Sequence, residues 1–121
     1  MTILGKHAGY RAGWQQLTRQ REKELETRYE KAIKQVRLAA EHLKQKYNCK
    51  IFLFGSLVDK NKYMNHSDID IAVSGVGIDV NFWQLYSEVM DILHPFDFDL
   101  VEVEKIDPEV RDYILDVGLE L

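Results

Sequence analysis

Residues 50–73 read KIFLFGSLVDKNKYMNHSDIDIAV, two apolar strand patterns on either side of a polar loop. The first pattern, Lys50–Phe54, is a short apolar run that ends at Gly55, as a buried strand does before a turn. The second, residues 68–73, alternates acidic and apolar side chains, the pattern of a strand with one buried face. The stretch therefore predicts two strands in succession along the chain, with an irregular loop over residues 57–67 between them.

Two carboxylates, Asp68 and Asp70, lie two positions apart in the second strand, so their side chains share one face. Ile69, between them, points to the opposite face. Two carboxylates about 7 Å apart along a strand repel each other and lose hydration when buried. Alone, the pair favours an ordinary solvated face. It also suits Mg²⁺, which prefers oxygen ligands and often binds one or two carboxylates together with substrate phosphates.

A third strand pattern, Phe96–Val103, carries the next pair of acids. Phe98 and Leu100 take one face, and Asp97 and Asp99 take the other. If the apolar faces of both strands pack against helices, the acids of both strands share the opposite face of the sheet. Two Mg²⁺ ions held there would contact the attacking and leaving oxygens of an in-line phosphoryl transfer.

Gly55 and Ser56 directly follow the first strand. Glycine lets the backbone approach a ligand closely, and backbone N–H groups with a serine hydroxyl suit phosphate oxygens. A Gly-Ser pair after a strand is more often a plain turn, so it indicates a phosphate-binding site only together with the acids. In the loop that follows, Lys60 or Lys62 would either approach the phosphates of a ligand bound at this turn or remain solvated.

A long helical pattern precedes the strands, with apolar residues every three or four positions from about Trp14 to Tyr47. Such a helix would span roughly 50 Å, more than the roughly 35 Å diameter of a compact domain of this length. We expect residues 29–47 to pack on the domain and residues 14–28 to form an arm or a separate helix. Residues 1–13, with three glycines, are expected to form a loose tail. The arm is either a solvated charged helix or a contact with a partner or a second copy, which would make a homo-oligomer.

Two further helices are predicted after the second and third strands. Asp79 is expected to cap one that ends before Pro95, and Asp107 begins another that stops at Gly118. The order helix, strand, strand, helix, strand, helix predicts an α/β (α+β) fold. We expect a small mixed sheet with helices on one face and the acidic site on the other.

The composition suits one globular domain, residues 29–121, preceded by the tail and arm of residues 1–28. The net charge of −4 argues against stable binding of long nucleic acids, because phosphate neutralisation favours basic proteins. The single cysteine, Cys49, excludes a disulfide within the chain and favours a cytoplasmic protein with a buried thiol. No charge-free run is long enough to suggest a membrane span.

The combined pattern resembles a known signature. Phe54-Gly55-Ser56, followed after a polar loop by Ser67-Asp68-Ile69-Asp70, resembles the GS…DxD motif of the DNA polymerase beta nucleotidyltransferase superfamily, and Phe98-Asp99-Leu100-Val101 is similar to the strand of its third acid. Over residues 29–121 the chain most resembles the minimal nucleotidyltransferase (MNT) branch. Members of that branch are often antitoxins encoded beside a helical HEPN-domain ribonuclease toxin. The closing helix before Gly118 is also similar to the last helix of that branch.

The resemblance implies a polymerase-beta-like fold and a role for each residue of the motif. Asp68 and Asp70 would bind two Mg²⁺ ions, and Asp99 would bind the catalytic ion and accept the proton of the attacking hydroxyl. Gly55 and Ser56 would hold the triphosphate of ATP or another NTP. The implied reaction is a transfer of NMP, AMP being expected, to a hydroxyl of a partner protein such as a HEPN toxin. Asp97 is either a solvated neighbour or a further ligand.

Two other functions stay open. The segment Leu57-Val58-Asp59-Lys60 lacks the glycine and the early basic residue that the superfamily often has after Gly-Ser. This departure and the extra arm favour a non-catalytic antitoxin that occludes a helical partner. A transferase that acts on RNA or on a small molecule is the third alternative, disfavoured because the chain leaves no room for a domain that holds such an acceptor.

Overall fold

The computed structural model describes residues 3–59, 62–63 and 67–121. Its regular elements, in chain order, are helix α1 (Ile3–Tyr47), strand β1 (Lys50–Phe54), strand β2 (Ile69–Ser74), helix α2 (Phe82–Leu93), strand β3 (Phe98–Glu102), helix α3 (Pro108–Val117) and the two-residue strand β4 (Leu119–Glu120). Short 3₁₀ turns follow β1 at Gly55–Val58 and β3 at Val103–Lys105.

The strands form one mixed sheet in the order β3-β2-β1-β4. Strand β1 is antiparallel to both β2 and β4, whereas β2 and β3 are parallel. Parallel neighbours need a crossover connection, and α2 supplies it. The predicted small mixed sheet with helices is therefore confirmed. Strand β4 was not predicted, because two residues are too few to show an alternating pattern.

Alternation along β2 divides the sheet into two faces. Ile69, Ile71 and Val73 are buried in one cluster with residues of α1 and α2, and Phe98 and Leu100 of β3 pack against the same cluster. Full burial of a side chain of this size contributes about 1.5–3 kcal/mol, so this face carries much of the folding free energy. The shared apolar face that the sequence predicted is confirmed, and the acids lie on the other side of the sheet.

Helix α3 packs on the acid-bearing face of the sheet, so the prediction that the helices lie on the other face alone is wrong for α3. Its Ile114 is buried in a second cluster with Phe52 of β1 and Ala72 of β2. Gly55 and Asp99 remain exposed at one end of that face. The acid-bearing face is thus covered over part of its length, and the end that carries the acids stays open.

Helix α1 is a single unbroken helix of 45 residues, about 68 Å long. The prediction of a loose tail is therefore wrong for residues 3–13. Glycine lowers helix propensity by about 1 kcal/mol but keeps its backbone donor, so unlike proline it does not end a helix. Contacts with the core begin at the half-buried Leu25, while Trp14 is exposed, so the first half of α1 protrudes. The domain boundary after residue 28 stays a prediction.

Side-chain caps define where the two shorter helices begin. Asn81 accepts hydrogen bonds from two N–H groups of the first turn of α2, at 3.0 and 3.3 Å, so Asn81 and not the predicted Asp79 caps that helix. The helix begins one residue after Asn81, which leaves Asp79 outside its first turn. Asp107 accepts the N–H of Glu109 at 3.0 Å and caps α3, which ends before Gly118 as predicted.

Candidate active site

Asp70 of β2 and Asp99 of β3 are register partners in the parallel part of the sheet. Neighbouring strands lie about 4.8 Å apart, and both side chains point to the same face, so the two carboxylates lie side by side. Asp70 is half buried and Asp99 is exposed. Asp68 is exposed just before β2. The parallel pairing thus brings the predicted third acid to the predicted pair.

The pKa of Asp70 is raised to about 6. Burial contributes most, because it removes water from the charged form of the carboxyl group. The negative charges of Asp99 and then Asp68, and a hydrogen bond with the side chain of Asp99, raise this pKa further. Carboxylates that oppose one another's ionisation form a site that either a proton or a cation stabilises.

Gly55 lies directly against Asp70. Phe54, the last residue of β1, pairs with Asp70 in the antiparallel ladder, so the next residue turns past the carboxylate. Gly55 has φ +76°, the left-handed region that favours glycine, and a Cβ at this position would overlap Oδ2 of Asp70 and lie 3.1 Å from its Cγ. The absence of a side chain at position 55 therefore keeps the approach to Asp70 open.

The turn that contains Gly55 and Ser56 is anchored to helix α1. Leu57 is buried in the turn, and its carbonyl oxygen accepts a hydrogen bond from the Tyr29 hydroxyl at 3.3 Å. The Tyr29 ring packs edge-on against the ring of the buried Tyr63, with centroids 5.3 Å apart. Sequence reasoning missed both tyrosines as parts of the site, because helical spacing indicates only that Tyr29 faces the core.

Three other residues that the sequence placed near the site have different outcomes. Lys60 lies outside the described residues. Lys62 is exposed, and its N–H donates to the carbonyl of Asp59 at 2.9 Å, so its contact with phosphate stays a prediction. Asp97 is exposed, and its carbonyl oxygen accepts the N–H of Ile69 at 3.0 Å. Its charge is not among those that raise the pKa of Asp70.

The donor set at this site suits Mg²⁺ bound through few protein ligands. Within residues 3–59, 62–63 and 67–121, no three His, Cys, Asp or Glu side chains are arranged to hold a metal ion together. The paired oxygens of Asp70 and Asp99 match a hard cation that takes one or two carboxylates and completes its shell with phosphates and water. A cation would also relieve the repulsion from Asp99 and Asp68, which adds to the effect of burial on the pKa of Asp70.

Comparisons with known proteins agree with this architecture. The profile of the family described as "Polymerase beta, Nucleotidyltransferase" matches residues 38–121. A crystal structure of the toxin–antitoxin MntA-HpeT, in a mutant form, has a similar fold, with a TM-score of 0.51 and 24% sequence identity over 76% of this chain and 70% of that chain. No curated protein matches the sequence.

In the part of the chain that the structure describes, no helix is long and apolar enough to cross a membrane.

Proposed function

This chain belongs to the polymerase beta nucleotidyltransferase family, and we propose that it transfers NMP, AMP in the first instance, from an NTP such as ATP to a hydroxyl of a partner protein. The observation that carries the proposal is the pair of carboxylates Asp70 and Asp99, side by side on parallel strands with Gly55 against Asp70. That geometry leaves an open, acidic approach next to a glycine turn, which suits a metal-bound triphosphate.

The residues that would hold the metal are Asp70 and Asp99, with Asp68 just before β2. Two Mg²⁺ ions, when bound, would supply electrostatic stabilisation of the negative charge on the reacting phosphates. The chain contributes carboxylate oxygens. The raised pKa of Asp70 comes first from burial and then from the negative charges of Asp99 and Asp68, which a divalent cation would offset.

The chain's own groups would position the triphosphate and move the proton. Backbone N–H groups of Gly55 and Ser56, with the Ser56 hydroxyl, would donate to phosphate oxygens. Asp99, exposed beside Asp70, would accept the proton of the attacking hydroxyl. The bond from that oxygen to the α-phosphorus forms, the bond from the α-phosphorus to its bridging oxygen breaks, and pyrophosphate leaves. Most of the acceleration would come from positioning.

The partner that we propose is a helical toxin of the HEPN type, with this chain as its cytoplasmic antitoxin. The similar structure is named as a toxin–antitoxin, and the sequence motifs resemble the MNT branch. Helix α3, which packs on the acid-bearing face, also exposes Val110, Tyr113 and Val117. Their spacing of three and four residues forms one stripe, which suits the docking of a partner helix beside the acids.

A non-catalytic antitoxin is the second candidate. The turn after Ser56 continues as Leu57-Val58-Asp59 without a further glycine, and the described residues contain no three-ligand metal arrangement. A binding module would protect against its toxin by occlusion alone. Its protective effect would then survive the replacement of both Asp70 and Asp99 by asparagine, whereas the protective effect of an enzyme would not.

Transfer of label from ATP labelled on the α-phosphate tests the catalytic proposal. The purified chain is incubated with Mg²⁺, labelled ATP and the product of the neighbouring gene, and then with host lysate. We expect a labelled protein with the wild type and with Asp97→Asn, the matched control, and none with Asp70→Asn. Equal labelling by wild type and Asp70→Asn would refute the assignment. Label in RNA rather than protein would point to a nucleic-acid acceptor.

A further inference from the structure

We propose that a groove between α1 and the start of β3 binds an acidic segment of the partner protein whose hydroxyl receives the nucleotide, an inference that rests on the proposed function. The groove has a volume of about 620 Å³. One wall is the face of α1 from Gln20 to Lys31, and the other is formed by Pro95 and Phe96, just before β3. This site is called the basic groove below.

Cations predominate on the α1 wall of the basic groove. Lys23, Arg28 and Lys31 line it, whereas Glu24 is the one acid among the described lining residues. The positive charge is local, because the chain as a whole has a net charge of −4. Such a groove attracts an anionic segment and disfavours a cationic one.

The cations of the basic groove have no internal ion pairs. Among the described residues, no carboxylate lies within ion-pairing distance of Lys23, Arg28 or Lys31, although the chain contains 20 acidic residues. Arg28 lies instead over the ring of Phe96, with its guanidinium carbon 5.1 Å from the ring centroid. This stacking orients the guanidinium and leaves its N–H donors for a ligand. An anionic segment would therefore bind without first breaking a salt bridge.

The basic groove ends close to the acids. Phe96 is three residues before Asp99, roughly 10 Å along an extended chain. The residue after Arg28 is Tyr29, which donates to the carbonyl of Leu57 in the turn beside Asp70, so α1 contacts both ends of the proposed active site. Strand β3 is at the edge of the sheet. A segment that leaves the groove past Phe96 can therefore pass around this edge and present a hydroxyl to the acids.

The surroundings of the basic groove favour a protein segment over a nucleic acid. RNA carries a negative charge at every phosphate, so a strand that left the groove would bring like charge to the acids of β2 and β3. A protein segment can place acidic side chains in the groove and an uncharged hydroxyl at the acids. Apolar side chains of the same segment would contact the exposed Pro95.

Fluorescence anisotropy of a labelled peptide tests which charge the groove binds. The probe is a peptide of alternating glutamate and tyrosine residues, added to the full chain with EDTA in 0.1 M salt, where charges more than about 10 Å away are screened. We expect saturable binding by the wild type. The double variant Lys23→Glu, Lys31→Glu should weaken it about tenfold, because each reversed charge removes an attraction and adds a repulsion.

The matched control is the double variant Arg19→Glu, Arg37→Glu. It changes the net charge equally, at two exposed positions of α1 that do not line the groove. This variant should bind the peptide as the wild type does. All three proteins should give the same helical circular dichroism signal.

Label transfer from ATP shows whether the groove serves the proposed reaction. With the product of the neighbouring gene as acceptor, the double variant Lys23→Glu, Lys31→Glu should raise the KM for the acceptor about tenfold. The KM for ATP should not change, because the groove holds the acceptor and not the nucleotide. An unchanged KM for the acceptor would overturn the inference.

The peptide measurement contains no nucleotide, so its outcome does not depend on catalysis. A wild type that binds the peptide in the groove but labels no protein supports the groove and contradicts the proposed function. Failure of the wild type to bind, or equal weakening by both double variants, overturns the inference. Tighter binding of labelled oligouridylate, weakened by Lys23→Glu, Lys31→Glu, would also overturn it and would identify the groove as a nucleic-acid site.

Discussion

Gly55 has no side chain where the turn after β1 passes the Asp70 carboxylate, and a Cβ there would overlap Oδ2. This contact joins the two halves of the sequence motif, the glycine turn and the acid pair. It exists because Phe54 and Asp70 are paired in the antiparallel ladder, so the residue after Phe54 is forced close to the carboxylate.

Replacing Gly55 by alanine should therefore damage both stability and activity. The positive φ costs about 1 kcal/mol, and the overlap with Asp70 should add roughly 1–3 kcal/mol. Gly75→Ala separates the two effects, because Gly75 also has a positive φ, +80°, but no atom lies within 4 Å of its added Cβ. Urea denaturation should show the larger loss for Gly55→Ala. Equal losses in the two variants would mean that the contact with Asp70 is unimportant.

Asp70→Asn should stabilise the metal-free protein at pH 8. The pKa of Asp70 is about 6 in the fold against an ordinary 3.8, so the folded state binds its proton more tightly than the unfolded chain. The free energy of unfolding of the wild type therefore falls as the pH rises from about 4 through about 6. Asparagine has no proton to lose in this range, so the variant avoids that fall. Since Asp70 is only half buried, we expect a gain of about 1 kcal/mol at pH 8.

The measurement is urea denaturation in the presence of EDTA at pH 4 and at pH 8. The stability advantage of Asp70→Asn over wild type should be present at pH 8 and close to zero at pH 4. Asp97→Asn serves as the control and should show no comparable change. An advantage that is the same at both pH values would contradict the proposed electrostatic origin.

Mg²⁺ should stabilise the wild type and not a variant without the paired acids. A ligand that binds only the folded state adds about 1.4 kcal/mol at ten times its Kd. We therefore expect the melting temperature of the wild type to rise on titration with Mg²⁺ and to fall again with EDTA. The double variant Asp70→Asn, Asp99→Asn should not respond. A response of equal size in the double variant would place the metal elsewhere on the protein.

Tyr29→Phe should weaken nucleotide binding without unfolding the protein. The lost hydroxyl holds the carbonyl of Leu57, next to Ser56 in the proposed phosphate-binding turn. A hydrogen bond of this kind contributes about 1 kcal/mol, so the KM for NTP should rise about fivefold while kcat changes less. Tyr113→Phe, exposed on α3, is the control. A fall in kcat with constant KM would contradict a role in positioning the turn.

The sequence predicted well which face of each strand is apolar and which carries the acids, and it predicted the ends of the elements less well. Alternation along residues 68–73 is a local property with a period of two, so Ile69 and Asp70 had to point to opposite faces wherever the strand lay. Predictions from the local sequence were wrong where nearby residues compete for the same structural role. Asn81 replaced the expected Asp79 as the cap of α2, and glycines that suggested a tail were accommodated in α1.

The amino-acid pattern alone is enough to establish three strands, the face on which each strand carries its acids and a glycine turn after the first strand, because each depends on residues close together in the chain. Three relationships come only from the folded chain: Asp70 opposite Asp99, Gly55 against Asp70, and Tyr29 bonded to Leu57. They join residues 29, 15 and 28 positions apart in the sequence. Such contacts follow from the register of strands and the packing of a helix on the sheet, which the whole core sets at once.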